Sequence, residues 1–239
     1  MPGEPYTPFP HRNLEAYADP DTEIIYREVP DAIGPHVEQY HERDLCAIPY
    51  ARSAYEADQE GDFDAVMIGC FAEPGMRAAR ELCDILVMSA ACATLHVASM
   101  LSNKFSIVKG NLGHGGTLFM DNLKRYGLES KLASLRMLDC PPTGMNERLL
   151  SKENLKKMHE TALEEAKAAI EEDGAELIIG YSGTYSYLKE HLEVPVLSPG
   201  ICTLKMTEAI VRMGLTHSKI AFAKPRPPHT YYLSRKPPT

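Results

Sequence analysis

The chain contains no tryptophan, and aromatic residues make up only 8% of its 239 positions. That scarcity argues against a surface built to stack nucleic-acid bases. Positive charge is also in deficit, with 25 Lys plus Arg against 33 Asp plus Glu and a net charge of −8. A nucleic-acid or anionic-membrane surface needs a basic footprint, so neither partner is expected. No apolar run approaches the ~20 residues of a membrane span. The Pro-rich opening MPGEPYTPFPHRN has no apolar core of the kind a secretory signal needs. None of the six cysteines (46, 70, 83, 92, 140 and 202) forms a CxxC pair. Free thiols in a reducing, cytoplasmic setting are therefore expected, with neither disulfides nor a zinc site. The histidines show no metal-ligand spacing, and no metal is expected.

What is present is an ordinary globular composition, 44% apolar and 24% charged. Short apolar runs alternate with helical stretches, which predicts an α/β fold with mainly parallel sheets flanked by helices. Candidate strands lie at 23–26, 65–69, 85–89, 105–108, 135–138, 176–180, 194–197 and 219–222. The clearest helix follows Ser151 as N-cap, with Leu155, Met158, Ala162, Leu163, Ala166 and Ile170 on one stripe. Gly174 is its expected stop. The basic, Pro-rich last ten residues are expected to be poorly ordered.

The chain also resembles itself. AVMIGC (65–70) lies 111 residues before ELIIGY (176–181), LVMS (86–89) lies 109 before PVLS (195–198), and KFSIV (104–108) lies 114 before SKIAF (218–222). Repeated units at one spacing predict two related lobes, residues 1–98 with 205–239 and residues 99–204. In such a fold the loops at the carboxyl ends of the strands line the ligand crevice. Here those loops begin at Cys70-Phe71-Ala72-Glu73-Pro74-Gly75 and at Tyr181-Ser182-Gly183-Thr184. A pseudo-twofold axis would set the Cys70 thiol against the Tyr181 phenol. The helix starts that follow offer free N–H groups to an anion such as a carboxylate.

With these residues in view, the chain resembles the aspartate/glutamate/hydantoin racemase superfamily, most closely its hydantoin-racemase-like branch. DAVMIGCFAEPGMRAARELCDILVMSAACATLHVASMLSNKFSIV (64–108) is similar to that branch's first cysteine motif. GPHVE (34–38) resembles its upstream motif, and GAELIIGYSGTYSYLKEHLEVPVLSPG (174–200) its second half-site. The resemblance implies a pseudo-symmetric two-lobed enzyme without a cofactor, acting on a small carboxylate or hydantoin and associating as a homo-oligomer. It implies one acid/base cysteine on each lobe, working opposite faces of the carbon alpha to a carbonyl. A thiol suits that task because a helix start can lower its pKa toward neutrality.

Two departures stand out. Tyr181 occupies the place of the second cysteine, and a phenol is a better proton donor than base near neutrality. The superfamily's arylmalonate decarboxylase branch also works with a single cysteine, placed there in the second lobe. Family members begin with a central strand and an Asn-containing loop, and set against that pattern this chain is expected to start partway through the helix that follows.

Cys70 and Tyr181 are thus the candidate acid/base pair, with Phe71, Ala72, Ser182, Gly183, Thr184 and His114 as substrate contacts. His114 is also an alternative acid/base group. Its loop, Gly110 to Gly116, lacks the Gly-Lys-Ser/Thr ending of a phosphate loop. Cys83, Cys92 and Cys202 are expected to be packing residues, Glu73 a helix-start charge or a ligand contact, and His36 and Glu38 anchors of the first lobe. Three activities remain open at this point: a racemase or epimerase, a one-thiol lyase or hydrolase, and a silent binding protein on the same fold.

Overall fold

The computed structural model describes residues 14–29, 32, 37–110, 116–139, 151–181 and 183–225. Six strands and seven helices alternate through them: α1 (Tyr40–Glu60), β1 (Ala65–Ile68), α2 (Met76–Leu82), β2 (Leu86–Ser89), α3 (Ala90–Leu101), β3 (Phe105–Gly110), α4 (Gly116–Tyr126), β4 (Leu132–Leu138), α5 (Lys152–Glu171), β5 (Leu177–Gly180), α6 (Tyr185–His191), β6 (Val196–Leu197) and α7 (Pro199–Arg212). The fold is mixed α/β with parallel sheets flanked by helices. β1 and β2 form one parallel pair, and the other four strands form a second parallel sheet in the order β4-β3-β5-β6.

The strands β2, β3 and β5 are buried along their whole length. That is why they read as continuous apolar runs rather than alternating ones. The predicted helix after Ser151 is α5. The Ser151 hydroxyl accepts the Asn154 N–H at 3.2 Å, a cap that contributes about 1 kcal/mol. Its stripe packs on the sheet through Met158, Ala162 and Ala166, with Leu155, Leu163 and Ile170 at the margin. Gly174, at φ +74°, ends it, and the Ala175 N–H closes back on the Ala169 carbonyl at 2.9 Å.

Two of the three internal matches pair strand with strand. β1-α2-β2-α3 and β5-α6-β6-α7 share one element order, and α2 and α6 have seven residues each. The helices that close the units, α3 and α7, pack against each other around Met88, Ala93 and Cys202. The third match fails. Residues 219–222 form a turn in which the Phe222 N–H reaches the Ser218 carbonyl, and Ile220 stands exposed. Lys219 explains the difference, because its ammonium caps the C-terminal end of α2 at the carbonyls of Arg80 (2.9 Å) and Cys83. Residues 23–26 form no ladder with any described residue, and Ile25 and Tyr26 are exposed. Alternation in a sequence marks a segment able to be a strand, whereas only a neighbour makes it one. Among the described residues no helix is long and apolar enough to cross a membrane.

The segment after α7 holds β2 by a titratable contact. The Val87 N–H donates to His217 Nε2 at 2.7 Å, so that nitrogen must be unprotonated. Burial, then the charges of Arg80 and Lys219, lower the ring to about 4. An unfolded histidine titrates near 6.5, so this contribution is complete above that pH and is lost as pH falls toward 4. We expect about 2 kcal/mol of stability to disappear over that window. Urea denaturation of wild type and His217→Gln should show it, with the variant lacking this part of the acid sensitivity.

Candidate active site

β1 ends at Ile68, and two residues later Cys70 opens a loop folded tightly on itself. The Glu73 N–H returns to the Cys70 carbonyl at 3.1 Å. Glu73 has φ +58°, unusual for a residue other than glycine, and its carboxylate is what holds it there. The buried carboxylate accepts the Ser89 hydroxyl, the Cys92 N–H at 2.9 Å and the Tyr126 hydroxyl at 2.7 Å, with Arg125 at 3.4 Å. Glu73 is therefore the internal anchor of the Cys70 loop. The turn into α2 uses Gly75 at φ +68°, where a Cβ would lie 2.2 Å from the Ala47 carbonyl oxygen of α1.

Part of Cys70's surface is open, but the packing around its sulfur governs its ionisation. Burial pushes the thiol up to about 12, and an N–H from Ala72 offsets only part of that. Glu38, Cys46 and Glu73 add further opposition to a negative charge. The expected lowering by a helix start does not occur: α2 begins only at Met76, and the N–H that reaches the sulfur belongs to the loop. Near neutrality Cys70 is a proton-bearing thiol.

Tyr181 follows β5 as Cys70 follows β1. Its ring packs against Phe71 (6.1 Å) and Phe119 (6.2 Å), which stack on each other at 4.7 Å. Its hydroxyl is buried and has no hydrogen-bond partner among the described residues. Burial holds the phenol well above its usual range, and the charges of Cys70 and Glu38 add to that effect. The two candidate groups thus lie near enough for the charge of one to oppose ionisation of the other.

Of the predicted contacts, Phe71 and Ala72 are buried in the Cys70 loop, with the Phe71 ring toward Tyr181. Gly183 accepts a hydrogen bond from His159 at 2.8 Å through its carbonyl. Thr184 is fully buried, and its hydroxyl donates to the Tyr181 carbonyl at 3.1 Å, stiffening that turn. Ser182 and His114 lie outside the described residues.

Other site residues emerge only in three dimensions. Lys109, near the end of β3, is 3% exposed; its ammonium lies 3.2 Å from Glu38 and 4.6 Å from the centre of the Phe119 ring. Its sequence signal was a lone lysine closing the apolar run FSIVKG. Asn122 donates to the Phe71 carbonyl at 2.6 Å from an otherwise apolar helix stripe, Leu118, Phe119 and Leu123. Among the described residues no three His, Cys, Asp or Glu side chains gather as a metal-ligand set. The shallow surface groove of α5 and α6, lined by Leu155, His159 and Tyr187, includes neither Cys70 nor Tyr181.

Comparison with known proteins extends this picture across the chain. A hydantoin racemase of Pseudomonas sp. (strain NS671) is 31% identical over 205 residues, covering 84% of this chain and 78% of the relative. A hydantoin racemase of Paenarthrobacter aurescens is 30% identical over 217 residues, 89% of each chain. The structure of an allantoin racemase from Klebsiella pneumoniae superposes with a TM-score of 0.77 at 29% identity, covering 90% of this chain and 86% of that one. The sequence pattern of the family described as Asp/Glu/Hydantoin racemase matches residues 3–209. With its cysteine loop, its parallel sheets and this span of similarity, the chain belongs to the Asp/Glu/hydantoin racemase family.

Proposed function

We propose that this protein is a cofactor-independent racemase or epimerase of a small hydantoin-like ring or amino-acid-derived carboxylate. Cys70 and Tyr181 exchange the proton alpha to a carbonyl from opposite faces. The observation that supports the reading is that each follows a matched strand and the Phe71 ring, next to Cys70 in the chain, packs on Tyr181. The same proposal divides the chain into lobes 1–98 with 205–239 and 99–204, each presenting one of the pair. The racemase names of the relatives support the reaction class.

Racemisation needs a planar intermediate reachable from both sides, hence two groups rather than one. Near neutrality both are protonated, so the negative charge of the reaction needs a counter-charge. Lys109 supplies it: its ammonium is desolvated and close to the aromatic wall that Tyr181 shares. Glu38 balances that charge until a substrate carbonyl takes its place, and the developing enolate is then stabilised by a cation already positioned. Asn122, by holding the Phe71 carbonyl, fixes the aromatic wall beside the pair.

The test uses each enantiomer of a 5-substituted hydantoin in D₂O, followed by NMR and optical rotation against an enzyme-free blank. Both enantiomers should gain deuterium at C5 and lose rotation faster than the blank. Exchange from neither would refute the racemase reading. A second reading, a one-thiol lyase, is favoured by the Tyr181 phenol, whose suppressed ionisation suits a donor more than a base. Release of CO₂ from an alpha-carboxylated substrate, without exchange at the alpha carbon of the product, would decide for it.

A further inference from the structure

The sequence marks Cys92 as a packing residue, and it does pack against the core beside Val87, Met88 and Cys202, but its sulfur also faces polar groups. Cys92 is the third residue of α3, whose N-cap Ser89 accepts the Cys92 N–H at 3.2 Å. Its sulfur lies 3.7 Å from an Arg80 guanidinium nitrogen and 4.0 Å from His96 Nδ1, one turn further along the helix. His96 Nδ1 also lies 2.7 Å from the Cys92 carbonyl, so this nitrogen carries an N–H that donates chiefly to that carbonyl, with the sulfur at the edge of its reach. The Arg80 side chain is held in place by donating to the Val87 carbonyl at 3.1 Å. The His96 ring meets the Tyr126 edge at 5.0 Å and is exposed on its outer side, while Cys92 itself is half-buried. One cation, one donor ring and a helix start therefore surround a thiol that small molecules can reach.

We propose that Cys92 is a second reactive thiol of this protein, a site of oxidation by small hydroperoxides, distinct from the Cys70–Tyr181 pair. The Cys92 thiolate attacks the near oxygen of the peroxide; an S–O bond forms and the O–O bond breaks. Sulfur is oxidised by two electrons to a sulfenic acid and the peroxide is reduced to water or an alcohol. Hydroxide or alkoxide leaves with a proton from the His96 imidazolium, which becomes the neutral imidazole, and Arg80 steadies the charge passing from sulfur to oxygen.

The ionisation balance agrees with this geometry. Burial opposes a thiolate at Cys92, but the His96 hydrogen bond and the Arg80 charge outweigh it, and the thiol is lowered although Glu73 acts against them. His96 moves the opposite way, raised by its bond to the same sulfur. Cys83 and Cys202 are raised by burial, to about 12 and about 11, and carry no comparable set of donors.

The experiment treats the full chain with hydrogen peroxide, traps sulfenic acid with dimedone and measures the rate of each cysteine peptide by mass spectrometry. Rates are taken from about pH 5.5 to about pH 9.5, spanning the ordinary thiol value of ~8.5. The Cys92 peptide should be trapped at least about tenfold faster than those of Cys83 and Cys202 at neutral pH, with a midpoint below that of an ordinary thiol. His96→Gln should move the midpoint upward while leaving the far-ultraviolet circular dichroism unchanged. A wild-type Cys92 midpoint at or above the ordinary value, or one that His96→Gln leaves in place, would overturn the assignment.

Discussion

Cys70→Ser should lower racemase turnover by about a thousandfold or more, the scale set by a positioned acid/base group. Serine keeps the size of the side chain and can still accept the Ala72 N–H, so the loop is left intact. What it loses is a proton that can leave at all: a thiol pushed up to about 12 by burial can be brought down by a neighbouring cation, whereas a hydroxyl lies several units higher. Tyr181→Phe separates the two faces. The phenyl ring keeps its packing on Phe71 and Phe119 and loses only a hydroxyl with no protein partner among the described residues. Inversion should fall about a hundredfold or more. The enantiomer whose proton faces Cys70 should still exchange it for deuterium without changing hand. Wild-type turnover in Cys70→Ser, or inversion unaffected by Tyr181→Phe, would refute the pair.

The largest stability effect is expected at Glu73. Glu73→Ala removes the acceptor of the Tyr126 and Ser89 hydroxyls and one of two acceptors of the Cys92 N–H, at a buried position. Arg125 retains Asp121 at 3.1 Å, so its charge is not left bare. The loss should be about 3 kcal/mol, or roughly 10 °C in melting temperature for a chain of this size. Glu73→Gly provides the control for backbone strain. It breaks the same bonds but relieves the left-handed conformation, and it should be less damaging than alanine by about 1 kcal/mol. Equal losses would mean that the backbone at this position is not strained; a negligible loss in both would remove Glu73 as the anchor of the Cys70 loop.

Glu73 also shows where reading along the chain stops. In sequence it is an acid just ahead of a helix, and a dipole contact is the natural expectation. Its actual role depends on Ser89 and Cys92 at the start of α3 and Tyr126 at the end of α4, and no local pattern brings them together. Cys92 is similar. Its Cys-x-x-x-His spacing with His96 is visible in the sequence, but Arg80 comes from α2, and only packing turns a core cysteine into one with a counter-charge. Lys109 was legible as an oddity in an apolar strand, yet its partner Glu38 lies 71 positions away.

The amino-acid order by itself determined the local matters: which runs are buried strands, the cap and stop of α5, the repeated β-α-β-α unit, and the two strand ends that bear Cys70 and Tyr181. These follow from periodicity, caps and turn residues, whose physics acts within a few residues. Strand formation at 23–26 and 219–222 was decided by the tertiary structure, because a ladder needs a neighbour and Lys219 found a helix end instead. The protonation of Cys70, expected to fall and found to rise, was decided there too. Desolvation depends on everything packed around a sulfur, and that is a property of the fold rather than of the motif.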